Sequence, residues 1–345
     1  MLSFADIKGH DDVKQVLRRA IEHDRLHHAL LFSGASGIGK RKMALALARV
    51  LNCQVRPPGV FQPACGTCPA CRKINQGIHP DVVLVEPQGN KLKRIKIDQI
   101  RALQKMMMVS PYEGGERVVL FDDAHTMGVE AANALLKTLE EPGQDTRMIV
   151  LTDQPHALLD TIVSRCQRVR FAPLRRSVVR ELVSPAVHDM DIDQALVDVA
   201  AGYGQGSPGR AMEVLHSGVL ERRKELVAQL LQLERGRPRA LLEFAEGLSK
   251  ERDVLSQCLD ALHVFLRDVL MCQTGCAQGR TINTDMTRLI QRWAARTTPE
   301  RTLEMLDAVR RAQYLITRNV NVQLIIEEVA RDLRTPRDAA RAHTG

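Results

Sequence analysis

The feature that most constrains the fold of this chain is a glycine-rich segment that follows a short apolar run. The run Ala29–Phe32 leads into Gly34-Ala-Ser-Gly37-Ile-Gly39-Lys40, which fits the pattern G-x4-G-K and precedes a helix-like stretch. Between a strand and a helix, the backbone N–H groups of such a loop surround a phosphate, and the lysine adds a positive charge. The segment therefore predicts a phosphate-binding loop, and a glycine-rich turn that binds nothing is the alternative.

Short apolar runs alternate with helix-like stretches over the first half of the chain. The runs are rich in branched residues and do not alternate with polar ones, which is typical of strands buried on both faces. This order favours an α/β fold, a parallel sheet with helices on both sides. The predicted strands are Ala29–Phe32, Val82–Val85, Val118–Phe121, Met148–Leu151 and Val169–Phe171, and the predicted helices are Arg41–Leu51, Ile97–Met108, Val129–Leu139 and His156–Ser164.

The pattern after Pro173 is almost wholly helical. Three short helices are expected over 178–215, and further ones between Leu220 and Leu333, including LLEFAEGL at 241–248, with a loop at Cys272–Asn283. The predicted organisation is an α/β module at 1–173 with a cysteine cluster at 53–71, a small helical module at 174–218, a helical domain at 219–335 and a flexible tail at 336–345.

Charge and hydropathy restrict the class of partner. The net charge of +8 suits a partner that carries phosphate or another acidic surface, although arginine-rich genomes give basic proteins generally. No apolar run approaches the ~20 residues of a membrane span. The first residues include early acids and lack the apolar core of a signal peptide. We therefore expect a cytoplasmic protein with no membrane partner.

Four of the eight cysteines form the pattern Cys53-x11-Cys65-x2-Cys68-x2-Cys71. Four thiolates satisfy the tetrahedral coordination of Zn²⁺, and a closed site of this kind stabilises a fold without catalysing a reaction. The proline-rich segment between the first two cysteines offers little for a core, so a metal would explain its placement. The spacing predicts a structural zinc site, and a chance cluster of thiols is the alternative.

Two positions argue against strong ATP hydrolysis. Lys40 is followed by Arg41, where the loop motif has Ser or Thr to hold Mg²⁺, and a guanidinium cannot ligate a cation. The third strand ends in Asp122, placed for a metal, and Asp123, where a longer glutamate normally orients the attacking water. The sequence predicts weak or absent hydrolysis by this chain alone. A pair of acids that caps a helix is the alternative for the two aspartates.

Two further residues are candidates at the ends of elements. Thr152 ends the fourth strand, where a polar side chain can sense a γ-phosphate, and a simple turn residue is an equal alternative. Arg165 follows a short helix; its spacing favours an ordinary ion-pair partner, whereas at a subunit boundary it would reach a neighbour's nucleotide as an arginine finger.

Four segments in this order resemble AAA+ clamp-loader subunits of bacterial DNA polymerase III, specifically the delta-prime type. They are HHALLFSGASGIGK (27–40), the cysteine cluster, AANALLKTLEEP (131–142) and TIVSRC (161–166). The resemblance covers about 4–210, and the C-terminal part matches only in layout. It implies an AAA+ module with a zinc insertion, followed by a helical lid and an all-α collar domain.

The resemblance also implies roles for residues. Arg165 would be the arginine that acts in trans on the ATP of a neighbouring subunit, and Arg210 the sensor-2 arginine of the lid. The chain would join gamma/tau motor subunits and a delta subunit in a hetero-pentamer, reaching the sliding clamp and primed DNA through that complex. Polymerase activity would belong to the holoenzyme. The nucleotide site, weak or degenerate, would comprise Gly34, Gly37, Gly39, Lys40, Asp122, Asp123, Thr152 and Arg210.

Three other functions are alternatives to a delta-prime subunit. The first is an ATP-hydrolysing gamma/tau-type motor subunit, from which Lys40-Arg41 and Asp122-Asp123 both depart. The second is a free-standing DNA-binding protein, disfavoured because no basic recognition helix is expected after the CxxCxxC segment. The third is a small-molecule kinase, disfavoured by the missing Ser or Thr after Lys40 and by the LLKTLEEP string.

Overall fold

The computed structural model describes residues 4, 6–55, 61–89, 93–113, 115–143, 145–187, 193–233, 252–277, 279–318 and 320–333. The helix predicted at 241–248 and the tail predicted at 336–345 lie outside these residues. The chain divides into two compact units, Met1–Leu182 with Gly206–Gly209, and Val183–Gln205 with Arg210–Gly345. The residues predicted as a small helical module, 174–218, are shared between them. The predicted three-module division stays a prediction.

The first unit is built on a five-stranded parallel sheet, which confirms the predicted α/β class. Its spatial order is β2-β3-β4-β1-β5, so β1 lies between β4 and β5. Crossover helices connect the parallel strands and cover the sheet. The strands are β1 (Ala29–Ser33), β2 (Val82–Val85), β3 (Arg117–Phe121), β4 (Thr146–Thr152) and β5 (Gln167–Arg170).

Both faces of the central strands are packed. Along β1 the side chains alternate between two hydrophobic clusters, with Leu30 and Phe32 in one and Ala29 and Leu31 in the other. The edge strands differ from the prediction of full burial: β5 exposes all but Val169, and β2 is mostly half-buried. An edge strand has only one hydrogen-bonded neighbour, so its side chains receive less cover.

The helices of the first unit confirm three of the four predicted in the α/β part. The segment predicted as one helix over His156–Ser164 is a 3-10 turn at Pro155–Ala157, two extended residues and a one-turn helix, because Leu158 and Leu159 have extended backbones. The helices are α1 (Asp11–Glu22), α2 (Lys40–Asn52), α3 (Pro69–Gln76), α4 (Ile97–Met107), α5 (Val129–Glu140) and α6 (Asp160–Val163), and α7 (Arg176–Val187) crosses the boundary between the units.

The second unit is helical, as predicted, around a core that contains the single tryptophan, Trp293. The predicted loop at Cys272–Asn283 begins two residues later, since the helix before it runs to Gln273. The helices are α8 (Gln194–Tyr203), α9 (Pro208–His216, starting in the first unit), α10 (Val219–Leu233), α11 (Arg252–Gln273), α12 (Thr287–Ala294), α13 (Pro299–Thr317) and α14 (Val322–Asp332). No helix among the described residues is long and apolar enough to cross a membrane.

A buried polar network fixes the loop after α11. The guanidinium of Arg223 donates to Asn283 Oδ1 and to Asp285 Oδ2, both at 2.6 Å. The carboxylate of Asp268 accepts the backbone N–H groups of Ile282 and Asn283. The side chains of Arg223, Asp268 and Asn283 are fully buried, and their charges and amides are bonded to one another, which offsets the cost of removing them from water.

Candidate functional site: a self-bonded phosphate loop, an arginine and a cysteine cluster

The predicted phosphate-binding loop lies at the carboxyl end of β1 and leads directly into α2. Gly37 and Gly39 have φ angles of +69° and +112°, which favour glycine, and the helix begins at Lys40. The Lys40 ammonium donates to the carbonyls of Gly34 at 2.7 Å and Ala35 at 2.9 Å. The loop thus joins a strand to a helix as predicted, its lysine is bonded to the loop itself, and phosphate binding stays a prediction.

Lys40 is buried, and this burial lowers the pKa of its ammonium. The negative charges of Asp153, Asp123 and Asp122 act in the opposite direction. The structure therefore brings the predicted lysine near both predicted aspartates. It also places Asp153 near Lys40, and no motif in the sequence predicts a role for that residue.

A second segment of the first unit, Gly206–Gly209, packs on the loop. The hydroxyl of Ser207 donates to the carbonyl of Ser36 at 2.7 Å, and the backbone N–H of Gly209 donates to the carbonyl of Gly37 at 3.0 Å. The approach is so close that a Cβ on Gly209 would stand 2.6 Å from Gly37 Cα. Two carbonyls of the phosphate loop are therefore hydrogen-bonded from outside it.

Arg41 places a positive charge between two acidic residues that follow neighbouring strands. Because β2 and β3 are paired neighbours, the acids that follow them, Glu86 and Asp122, lie side by side. Arg41 Nη1 is 2.5 Å from Glu86 Oε1 and 3.2 Å from Asp122 Oδ2. Burial and the charge of Asp123 raise the pKa of Asp122, and Arg41 opposes this rise. The residue that replaces the expected Ser or Thr thus neutralises the acid predicted to hold a metal.

The other strand-end residues form a group beside the loop. His125 Nδ1 lies 3.3 Å from Asp153 Oδ1 and 3.4 Å from the hydroxyl of Thr152. The same hydroxyl accepts the backbone N–H of Gln154 at 3.0 Å. Asp123 is exposed, has a φ of +45° and offers a carboxylate oxygen within 4.8 Å of the ligand atoms of His125 and Asp153. Thr152 is therefore part of a local turn, and its predicted role as a γ-phosphate sensor stays a prediction.

Arg165 lies after α6 and makes an ion pair with the last residue of α5. Its Nε donates to Glu140 Oε1 at 2.9 Å, and its Nη2 contacts the same oxygen. Its Nη1 donates to the carbonyl of Thr161 at 3.0 Å. The side chain as a whole remains 35% exposed while its guanidinium is held by Glu140 and Thr161.

Arg210 lies in the second unit, near the start of α9. It lines a cavity of about 700 Å³ together with Asp260, His263 and Gln313. Burial raises the pKa of Asp260, against a hydrogen bond from Gln313 and the charge of Arg210. Within its own unit, Arg210 therefore faces an acid. Its predicted sensor role stays a prediction.

The four predicted zinc ligands come together at one end of α2 and the start of α3. Their sulfur atoms lie within 4.8 Å of one another. Backbone N–H groups donate to three sulfurs: Cys65 to Cys53 at 3.4 Å, Cys68 to Cys65 at 3.3 Å and Cys71 to Cys68 at 3.5 Å. Four converging sulfurs, three of which accept backbone N–H groups, fit a tetrahedral zinc ion. This cluster of four cysteines can hold zinc.

The surroundings of the cluster shift the pKa values of two of its thiols in opposite directions, and burial raises that of Cys71. The backbone N–H groups of Cys68 and Thr67 lower the pKa of the Cys65 thiol to about 6. Arg49 is buried behind the cluster with its Nε and Nη2 unpartnered among the described residues, and its charge interacts with Cys71. A bound zinc with four thiolates is an anion, which such a guanidinium would stabilise.

The helix α3 shows that one prediction about the cysteine segment is wrong. We expected no basic helix after the CxxCxxC segment, but α3 begins inside it, with Cys68 as N-cap and Pro69 as first residue, and carries Arg72 and Lys73. The Lys73 ammonium contacts Glu113. The segment therefore does carry a basic helix, and only the family to which the chain belongs decides against a free-standing DNA-binding protein.

Comparison with protein families matches both units. The model described as "DNA polymerase III, delta subunit" matches residues 9–175, and the model described as "DNA polymerase III, delta subunit, C terminal" matches 217–335. The DNA polymerase III subunit delta' of Bacillus subtilis is 32% identical over 321 residues, which cover 92% of this chain and 94% of that protein. The chain belongs to the DNA polymerase III delta-prime family. The family predicted from the sequence is confirmed.

Other relatives agree with the delta-prime family. The delta' subunit of Pseudomonas aeruginosa is 40% identical over 207 residues, 60% of this chain and 61% of that protein. The tau subunit of Escherichia coli is 31% identical over 219 residues, but these cover 63% of this chain and only 33% of tau. The tau-type relatives thus share one part of the chain, whereas the delta-prime family accounts for nearly all of it.

Proposed function

We propose that this chain is a stator-like subunit of the clamp loader that loads a sliding clamp onto primed DNA. In this role it contributes structure and one arginine, Arg165, to an ATPase site whose nucleotide a neighbouring gamma/tau subunit holds. A delta subunit would complete the hetero-pentamer. Membership of the delta-prime family and relationship to tau support the proposal. The work would take place in the cytoplasm.

The observation that carries the proposal is the position of Arg41. A motor subunit needs Mg²⁺ to bridge the phosphates and neutralise developing charge. Here a fixed cation, Arg41, already bridges Asp122 and Glu86, and no hydroxyl follows Lys40 to ligate a metal. We therefore propose that ATP binds weakly or not at all, through Gly34 to Lys40, and that this chain does not turn it over.

The cysteine cluster has a structural role in this proposal. Cys53, Cys65, Cys68 and Cys71 would hold one zinc ion, whose chemistry is to link the end of α2 to α3 and to close the loop between them. All four ligand positions are thiols from this chain, which leaves none for substrate. The two buried cysteines at the start of α3 would align the helix on the hydrophobic core.

The trans role is tested by clamp- and DNA-stimulated ATP hydrolysis in a reconstituted loader. The loader would contain the wild-type chain, Arg165→Ala or the control Arg168→Ala, which removes an exposed arginine three residues further along. We expect Arg165→Ala to lower turnover at least ~10-fold with assembly intact, since an arginine finger contributes about 10³–10⁵ in rate where it acts fully. The control should be unchanged.

Two results would overturn parts of the proposal. Equal turnover with Arg165→Ala would make Arg165 an ordinary ion-pair partner. Substantial ATP hydrolysis by the purified chain alone, lost in Lys40→Ala, would identify a motor subunit.

A further inference from the structure

The contacts of Arg165 use only part of its guanidinium. The group has five N–H donors in a fixed plane: one on Nε and two on each terminal nitrogen. Nε and Nη2 together face one oxygen of Glu140, which takes the side edge of the plane. Nη1 gives one N–H to Thr161. One N–H on Nη1 and one on Nη2 have no partner among the described residues.

The outer edge, between the two terminal nitrogens, is the part of an arginine that binds a phosphate with two parallel hydrogen bonds. In this chain Glu140 takes the side edge formed by Nε and Nη2, and 35% of the Arg165 side chain is exposed. The contacts therefore fix the plane of the guanidinium while one N–H on each terminal nitrogen has no partner in the described part of the chain. A flexible arginine loses rotational freedom when it binds, and a fixed one has already lost it.

Glu140 carries its negative charge at the unfavourable, C-terminal end of α5. It is the last residue of α5, where the helix presents partial negative charge and a carboxylate is unfavourable. Its neighbour Glu141 forms the C-cap and is likewise acidic. An acid at this end is stabilised when a cation pairs with it, and Arg165 provides that cation.

We infer that Glu140 is a positioning residue for Arg165, holding the guanidinium plane so that its outer edge meets the phosphate of a nucleotide bound by the neighbouring subunit. The inference rests on the proposed trans role of Arg165. Glu140 touches neither the nucleotide nor the reacting atoms. Its contribution is the orientation of a group that does.

The test compares Glu140→Ala, Glu140→Gln and the control Glu141→Ala in the reconstituted loader, beside Arg165→Ala. Glutamine keeps an oxygen that accepts the two N–H donors, whereas alanine does not. We expect Glu140→Ala to lower the stimulated kcat about 10-fold with the KM for ATP and loader assembly unchanged, as loss of orientation predicts. Glu140→Gln should retain kcat within about 3-fold, and Glu141→Ala should match wild type.

The remaining outcomes separate this inference from the proposed function. If Arg165→Ala impairs turnover but Glu140→Ala does not, or if Glu140→Ala raises it, positioning by Glu140 is wrong and the trans arginine stands. If Arg165→Ala has no effect, the trans role fails first and the inference with it. A double variant no worse than Arg165→Ala alone supports the inference, because Glu140 then acts only through that arginine.

Discussion

Replacement of Arg41 by threonine tests whether its guanidinium excludes Mg²⁺ from the phosphate loop. Threonine supplies the hydroxyl that the loop motif lacks and removes the cation beside Asp122 and Glu86. We expect Arg41→Thr to gain magnesium-dependent nucleotide binding that wild type lacks. The fold should tolerate the change, because exposed ion pairs contribute only about 0–1 kcal/mol each.

The size of the effect follows from the charges. Two unit charges about 4 Å apart interact by about 1 kcal/mol in water and about 4 kcal/mol at an effective dielectric constant of 20. The Arg41 side chain is 45% exposed, so the screened end of that range applies. Because Mg²⁺ carries two charges, its repulsion by the Arg41 guanidinium would be about 2 kcal/mol, which corresponds to roughly 30-fold in the affinity for Mg²⁺.

The assay is an equilibrium titration of a fluorescent ATP analogue with and without Mg²⁺, on wild type, Arg41→Thr and the control Lys42→Thr. Lys42 is the next residue of α2 and is also exposed. The expected result is tighter binding with Mg²⁺ for Arg41→Thr alone. The reasoning is refuted if wild type already binds the analogue as tightly with Mg²⁺, or if Arg41→Thr shows no dependence on the metal.

Three further predictions concern the loop, the cysteines and pH. Cys71→Ser should reduce bound zinc and lower the melting temperature, measured by colorimetric metal release and calorimetry; full zinc content would contradict the assigned ligand set. Gly209→Val should lower the free energy of unfolding in denaturant titrations by about 1–3 kcal/mol, because the valine Cβ would lie 2.6 Å from the Cα of Gly37. The control Gly128→Ala should leave it unchanged, because nothing lies within 4 Å of a Cβ at that position. Burial lowers the pKa of His79 below its ordinary value of 6.5, so His79 is protonated in the unfolded chain at a higher pH than in the folded one. The free energy of unfolding should therefore fall as the pH drops below about 6.5. An equal denaturation midpoint for wild type and His79→Gln at every pH from 7.5 to 5.5 would contradict this prediction.

The sequence predicts the sheet well because its strands carry their own signal. Runs such as that of Val118–Phe121 are short and apolar at every position, which is typical of strands covered on both faces. The helix α3 is hard to predict because two of the four clustered cysteines lie at its start, where they indicate a metal site. Its boundary was nonetheless visible, since Pro69 is a favourable first helical residue. In 155–164, local preferences for helix gave way to extended Leu158 and Leu159, which no periodicity indicates.

The site was predictable in its residue types but not in its pairings. Arg41 could be recognised as a poor metal ligand, but its partner Glu86 is 45 residues away and becomes a neighbour only through the pairing of β2 with β3. The pairing of Arg165 with Glu140 depends in the same way on where α5 ends. The four cysteines were predictable because one ion of fixed geometry determines which side chains converge.

The bonds that close the phosphate loop have a thermodynamic consequence. Those from Lys40, Ser207 and Gly209 to the loop carbonyls, like that from Arg41 to Asp122, are all made within one chain. A contact with a soluble ligand strengthens the folded state by an amount that grows with the ligand's concentration, but an internal contact does not. These contacts therefore hold the loop equally firmly whether nucleotide is abundant or depleted, and the free energy lost with the side chain of Lys40 or Ser207 does not depend on the concentration of a ligand.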